Sequence, residues 1–96
     1  MDTMLTRTLQ ALTDPTRRKI IEMLKEHDLT AGEIGAAFDI SGPSVSHHLN
    51  VLKNAELVLT KRNGQHIVYS LNMTVLQEFL DEMFHLFKIG ENDDAQ

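Results

Sequence analysis

The sequence predicts a mainly α-helical domain with one small β-hairpin, and three observations carry this prediction. Two helix starts built on the same plan lie close together between residues 29 and 54. An Asn-Gly pair at residues 63 and 64 is the strongest short signal for a hairpin turn. The segment 73–89 is rich in apolar residues and predicts a long last helix. The expected order is four helices, two hairpin strands and a fifth helix.

The first of the two neighbouring helices begins at a capping box. Thr30 is followed three residues later by Glu33, so the hydroxyl and the carboxylate can each accept a hydrogen bond from a backbone N–H that the helix leaves unpaired. We expect this helix to run to about Phe38.

The second helix of the pair begins at Ser41, which can cap it, and Pro43 in its first turn removes no needed hydrogen bond. Four residues, 39–42, separate the two helices. So short a connection predicts a helix-turn-helix over residues 29–54, the arrangement that places its second helix in a DNA major groove.

This second helix has two different faces. Val45, Leu49 and Leu52 recur at helical spacing and should face a core. The remaining side chains are short or flat hydrogen-bonding groups with almost no negative charge, which suits contact with base edges and phosphates. They are Ser44, Ser46, His47, Asn50, Lys53 and Asn54. A solvated polar face is the alternative. We expect His47 to donate to DNA and His48 to pack partly against the core.

The two N-terminal helices should support this unit. Residues 3–12 carry Leu5, Leu9 and Leu12 along one side, a narrow stripe that needs something to lie against. The next helix begins with Asp14 as its cap and runs to about residue 27.

Three cations occupy the first turn of the second helix: Arg17, Arg18 and Lys19. The helix dipole disfavours positive charge at this end. Two explanations are open. The cations pair with carboxylates elsewhere, for example on the acidic last helix, or they contact phosphate.

The hairpin over residues 57–71 is expected to turn at Asn63 and Gly64. That turn opposes Arg62 to Gln65, Thr60 to Ile67 and Val58 to Tyr69. Lys61, Arg62 and Gln65 lie near its polar tip, so the hairpin would form a wing that reaches phosphates or a minor groove. Hairpin tips are often polar, so a polar tip alone is weak evidence for DNA contact. The position of this hairpin directly after the helix pair is what favours a wing.

The last helix, 73–89, has more apolar residues than one core can cover. It starts at Asn72 or at a Thr74/Gln77 capping box and ends at Gly90. One stripe can serve its own domain, for instance Leu76, Leu80, Met83 and Phe87. The remainder would stand in water without a second subunit. We therefore expect a homodimer through the first and last helices, with interface residues Leu5, Leu9, Leu12, Phe79, Met83 and Leu86. The acidic tail, 91–96, follows.

Composition narrows the function. Ninety-six residues with 42% hydrophobic content fit a single domain, 1–96. The absence of cysteine excludes disulfides and thiolate metal sites. Apolar runs are short and no secretion signal is recognisable, so we expect a cytoplasmic protein without membrane insertion. No Gly-rich phosphate loop or recognisable nucleophile is present, and an enzyme is not expected.

The formal net charge of −5 is unusual for a nucleic-acid binder, which usually has a basic surface. The charge is segregated, however. From residue 73 onward six acidic residues stand against Lys88, and residues 1–72 are neutral. Between residues 41 and 71 the one acid is Glu56, beside three basic residues and three histidines. A locally positive surface with an acidic far end would orient the protein on DNA.

Several stretches carry a family resemblance: DPTRRKI, TAGEI, SGPSVSHHLNVLK, AELV and GQHIVYSLNMTVLQ. With the element order, they resemble the ArsR-type winged helix-turn-helix repressors over nearly the whole chain, most closely the SdpR-like autorepressors. The resemblance implies a dimeric repressor of an operator with two-fold symmetry, with the helix from Ser41 as recognition helix and the hairpin as wing. The expected DNA-binding residues are Thr30, Ser41, Ser44, Ser46, His47, Asn50, Lys53, Lys61, Arg62 and Gln65.

Many proteins of that family sense metals through cysteine clusters, or through Asp and His positions on the last helix completed by a later His and Glu. Here Asp81 and His85 share a face, but no second histidine follows, which leaves two ligands where zinc prefers four. We therefore expect no metal and no cofactor. The alternatives are a metal-gated repressor and a winged-helix module that binds protein instead of DNA. An unidentified regulator would be a further partner.

Overall fold

A computed structural model describes residues 3–88. Five helices and three strands follow one another along the chain: α1 Met4–Ala11, α2 Pro15–Glu26, β1 Leu29–Thr30, α3 Ala31–Gly35, α4 Gly42–Asn54, β2 Val58–Asn63, β3 His66–Leu71 and α5 Met73–Phe87. The strands form one antiparallel sheet in the order β1-β3-β2. Gly90 and the acidic tail lie outside the described residues.

The core lies where α1, α2, α3, α4 and the base of the hairpin meet. Its largest fully buried side chains are Ile20, Ile34, Leu49, Leu52, Leu57, Val58 and Thr8. The predicted inward face of α4 is confirmed, because Val45 is buried together with Leu49 and Leu52. Within residues 3–88 no helix is long and apolar enough to cross a membrane.

The helix starts follow the predicted capping chemistry. The Thr30–Glu33 box is complete, since the Glu33 N–H donates to Thr30 Oγ1 at 3.1 Å and the Thr30 N–H donates to Glu33 Oε1 at 2.8 Å. Asp14 caps α2 and Ser41 caps α4. Of the two predicted starts for α5, the structure has Asn72, whose Oδ1 accepts from the Val75 N–H at 3.3 Å.

Helix α3 is shorter than predicted. It ends at Gly35, and residues 36–38 continue as tight turns in which Phe38 N donates to Gly35 O at 3.1 Å. Two of its five residues are glycine, the poorest helix former after proline, so little favours a further turn.

The sheet holds one strand that the sequence did not reveal. In β1, Leu29 pairs with Tyr69 and Thr30 with Val68 of β3. A two-residue strand is too short to show an alternating pattern, and its partner lies about forty residues further along the chain. The capping box of α3 therefore begins on a residue that the sheet also holds.

The predicted hairpin register is wrong by two residues. Asn63 pairs with His66, so Arg62 faces Ile67 instead of Gln65, and Thr60 faces Tyr69. Gly64 takes the first central turn position with φ +65°, while Gln65 has no positive φ. This is the pattern of a type II′ turn, which needs glycine first. Because strand side chains alternate with period two, a shift of two residues changes the partners but keeps the same side chains of β2 and β3 together on a common face.

The cations at the start of α2 bond mainly to α1. Arg17 Nε donates to Ala11 O at 2.6 Å, and Arg18 Nη1 donates to Leu12 O at 2.7 Å. Lys19 lies 3.7 Å from Glu22 of its own helix. Pairing of the arginines with the acidic last helix was the wrong expectation. They satisfy carbonyls at the C-terminal end of α1, where a helix dipole favours cations.

Candidate nucleic-acid interface

Helix α4 presents a polar face directly opposite its buried one. Ser44, Ser46, His47, Asn50, Lys53 and Asn54 are all exposed. Val45, Leu49 and Leu52 fix this face, because rotation of the helix would bring apolar side chains into water. The predicted recognition face is therefore open to a ligand along the whole helix.

Ser41 and Ser44 form the start of this face. Ser41 Oγ accepts from the Ser44 N–H at 3.2 Å, and the Ser41 hydroxyl donates to Ser44 Oγ at 3.0 Å. The Ser41 hydroxyl is thereby committed to capping the helix. Ser44 keeps its own hydroxyl proton for another acceptor, so it is the better equipped of the two to donate to DNA.

Thr30 is likewise committed, since both its hydroxyl and its backbone N–H belong to the capping box of α3. It is half-buried. Its structural role is to fix the first helix of the pair.

The two histidines of α4 have different surroundings. His47 is exposed on the polar face, whereas the His48 side chain is only 16% exposed. His48 Nδ1 lies 3.1 Å from Arg17 Nη1 and 3.9 Å from Asp14 Oδ2. Sequence reasoning predicted the partly packed position of His48 but not these partners, because they come from a different helix.

The wing places its cations at the tip. Lys61, Arg62 and Gln65 are all exposed. Arg62 Nη1 donates to Gly64 O at 3.3 Å, so the guanidinium lies back over the turn and retains further donors for an anion. Between β2 and α4 the acid Glu56 is also exposed.

The first and last helices leave apolar surface uncovered. On α5, Leu80 is 47%, Phe84 49% and Leu86 59% exposed, and on α1 Leu9 is 41% exposed. Val75 is buried, and Phe79 and Met83 are half-buried. The predicted division of α5 was wrong in part: Phe79 lies on the inner side, while Leu80 and Phe87 belong to the exposed side.

Within residues 3–88 no group of three or more histidine, aspartate or glutamate side chains could hold a metal ion. Asp81 and His85 share the outer part of α5, where both are exposed.

Comparison with known proteins decides the family. Residues 14–60, from the cap of α2 to β2, match the family model described as bacterial regulatory protein, arsR family. The chain is also 54% identical over 84 residues to the transcriptional repressor SdpR of Bacillus subtilis (strain 168), covering 88% of this chain and 93% of that protein. The chain belongs to the arsR family of bacterial regulatory proteins.

Solved structures agree with this family. An ArsR-like transcriptional regulator from Rhodococcus sp. RHA1 superposes with a TM-score of 0.80 at 25% identity, covering 88% of this chain and 80% of that one. A domain from Mycobacterium bovis, described as a homodimeric winged helix-turn-helix DNA-binding domain, gives a TM-score of 0.72 at 21% identity, over 97% of this chain and 88% of that one, and shows the fold. This arsR-family chain is a DNA-binding transcriptional repressor with a winged helix-turn-helix fold.

Proposed function

We propose that this arsR-family protein binds an inverted-repeat operator as a homodimer, with α4 of each copy in a major groove. The polar face of α4 carries the proposal. It offers hydroxyl, amide, imidazole and ammonium groups but no carboxylate, and it is fixed over a buried apolar face. Such groups match the donors and acceptors of base edges and phosphates.

The contacts are assigned by position. Ser44, Ser46 and His47 lie in the first half of α4, the part of a recognition helix that usually reaches bases. Asn50 and Lys53 follow along the same face. On the wing, Lys61, Arg62 and Gln65 are assigned to the sugar-phosphate backbone of the DNA. Thr30 and Ser41 belong to the surface as well, but their hydroxyls already cap helices.

The homodimer is proposed to form through α1 and α5. Their uncovered apolar side chains include Leu9, Leu80 and Leu86, and burial of such surface is the usual source of subunit association. Leu5, Leu12, Phe79 and Met83 border this surface and are half-buried within one copy.

The proposed regulation is autorepression in the cytoplasm without a metal. The likeness to SdpR over nearly its whole length supports the repressor class, and the absence of cysteine supports metal independence. Zinc titrated into the protein–operator complex should leave the affinity unchanged. A stoichiometric zinc complex that weakened DNA binding tenfold, about 1.4 kcal/mol of coupling, would favour the metal-gated alternative.

The experiment that tests the function is binding of the purified protein to the DNA immediately upstream of its own coding region, compared with a random duplex of equal length at two salt concentrations. A specific repressor should prefer its operator by at least about 10³. Affinity for both duplexes should fall as salt rises. Absence of any salt-dependent DNA binding would favour the alternative hypothesis, a winged-helix module that binds protein instead of DNA.

A further inference from the structure

Arg17 joins three helices at one point. It stands in the first turn of α2 and directs its guanidinium to both neighbours. Nε donates to Ala11 O at 2.6 Å and Nη2 to Gln10 O at 3.3 Å, both at the end of α1. Nη1 lies 3.1 Å from Nδ1 of His48 on α4. One side chain thus bonds the helix proposed for dimerisation to the helix proposed for DNA recognition.

The contact with His48 has a defined polarity. A guanidinium has no acceptor and keeps its charge, so Nδ1 must accept and the neutral ring carries its proton on Nε2. Asp14 Oδ2 lies 3.9 Å from the same nitrogen, and the N–H groups of Thr16 and Arg17 hold that carboxylate in place. At this distance the carboxylate makes no hydrogen bond to the ring, so the ring is oriented by the guanidinium of Arg17.

The contact between Arg17 and His48 is partly shielded from water. The His48 side chain is 16% exposed, and Ala11 at the other end of the link is fully buried. A polar contact away from water resists exchange with solvent more than a surface pair does. His47, the adjacent residue, lies on the DNA-facing side, with its ring centroid 5.6 Å from that of His48.

We propose that Arg17 is a positioning residue that sets the orientation of α4 relative to α1, and with it the angle between the two recognition helices of a dimer. The inference rests on the proposed function. A matched operator requires both helices to meet grooves about one helical turn apart, whereas binding to random DNA depends mainly on phosphate charge. Loss of the link should therefore lower operator affinity and leave random-DNA affinity unchanged.

Arg18 provides the matched control. Its Nη1 donates to Leu12 O at 2.7 Å, so it caps α1 as Arg17 does, but none of its hydrogen bonds within residues 3–88 reaches α4. Arg17→Lys and Arg18→Lys both keep the charge and lose the guanidinium fork. We expect Arg17→Lys to lower operator affinity about tenfold, the effect of one mismatched base pair, and Arg18→Lys to bind as wild type.

Two variants of His48 test the acceptor itself. Asn carries its amide oxygen on the same carbon as Nδ1 in histidine, so His48→Asn should retain operator affinity, whereas His48→Leu should lose as much as Arg17→Lys. The double variant Arg17→Lys/His48→Leu should lose no more than either single one, because both remove the same bond.

The measurements are affinities for the upstream operator duplex and a random duplex, with sedimentation and thermal unfolding for each variant. Selective loss for Arg17→Lys and His48→Leu in folded dimers supports the positioning role. The role is overturned if Arg17→Lys retains wild-type preference, or if operator and random affinities fall together in proportion to lost stability. If the wild type itself shows no preference for the operator, the proposed function is rejected and the positioning role with it. This outcome differs from failure of the positioning role alone, in which the wild type prefers the operator and Arg17→Lys keeps that preference.

Discussion

Single residues at helix starts were predictable because their partners are only two or three positions away. Thr30 with Glu33, Asp14 with Thr16, and Ser41 with Ser44 all bond as their spacing indicated. The partners of the two arginines in α2 were not predictable. Their acceptors are carbonyl groups of α1, which become their neighbours only when the two helices pack. Hydrogen bonds within a helix start could therefore be predicted from the sequence, whereas contacts between helices could not.

Asp14 gives a pH-dependent prediction. Burial raises the pKa of its carboxyl group, but hydrogen bonds from the Arg17 and Thr16 N–H groups, with the positive charge of Arg17, outweigh burial and bring the pKa below its ordinary value of 3.8. A carboxyl group with a lowered folded pKa stabilises the protein above its unfolded pKa, and this stabilisation is lost as pH falls through the folded pKa.

Asp14→Asn should keep the cap and lose the charge, because Asn caps helices as well as Asp does. Urea unfolding should find wild type more stable near neutral pH, and the difference should vanish below the folded pKa of Asp14. Asp14→Ala should in addition lose the cap, about 1 kcal/mol at every pH. A wild-type advantage over Asp14→Asn that persisted in strong acid would show that charge is not its source.

His47 and Arg62 should separate reading of bases from contact with phosphates. His47→Ala should cost on the order of 1 to 3 kcal/mol for the matched operator and relax preference at particular bases. Arg62→Ala should weaken all sequences about equally and make the salt dependence shallower by about one unit of slope. The check is affinity for operator and random DNA across a salt series. The roles would be refuted if the two variants lost the same ratio of operator to random affinity.

At the scale of elements, the sequence located every helix and the hairpin, but not how the strands pair. The turn shows why: Asn63-Gly64 fits a type I′ turn, whereas Gly64 followed by Gln65 fits a type II′ turn, and the chain has the second. Strand β1 was missed because its two residues are defined only by their partners Val68 and Tyr69. Strand pairing depends on two segments together, so it cannot be predicted from the sequence of either segment alone.

The end of α4 carries a correctable strain. Glu56 has φ +63°, and its N–H donates to Lys53 O at 2.9 Å while Leu57 N donates to Leu52 O at 3.0 Å. This is a Schellman ending with a non-glycine residue in the left-handed position. Glu56→Gly should stabilise the fold by about 1 kcal/mol, since a left-handed backbone costs an L-residue roughly that much.

Thermal or urea unfolding measures this gain. Glu56→Ala is the matched control, because it removes the same carboxylate but keeps Cβ, and it should gain little. Equal stabilisation by Ala and Gly would assign the effect to the lost charge instead of the backbone.

At the scale of the whole molecule, the excess of apolar residues on α5 was visible in the sequence, but their division between core and surface was not. Helical spacing alone allowed Leu80 and Phe87 to face the core, whereas the structure buries Val75 and half-buries Phe79 and Met83 on that side. The division depends on where α1 lies against the helix. An apolar surface on α5 is common to both assignments, so the dimer prediction does not depend on that error.

The proposed interface can be tested with one added charge on each of two helix faces. Leu80→Asp and Leu86→Asp place a carboxylate among exposed apolar side chains, where dimerisation would bury it unpaired at a cost of several kcal/mol. Thr74→Asp is the control, because it adds the same charge to the same helix at an exposed position about 120° around the axis from Leu80. Sedimentation should find monomers for the first two variants and dimers for the control. The monomers should also lose most of their operator affinity, since each can offer only one recognition helix to a two-fold site. Dimers with wild-type operator affinity in both Leu80→Asp and Leu86→Asp would place the interface on a surface other than α5.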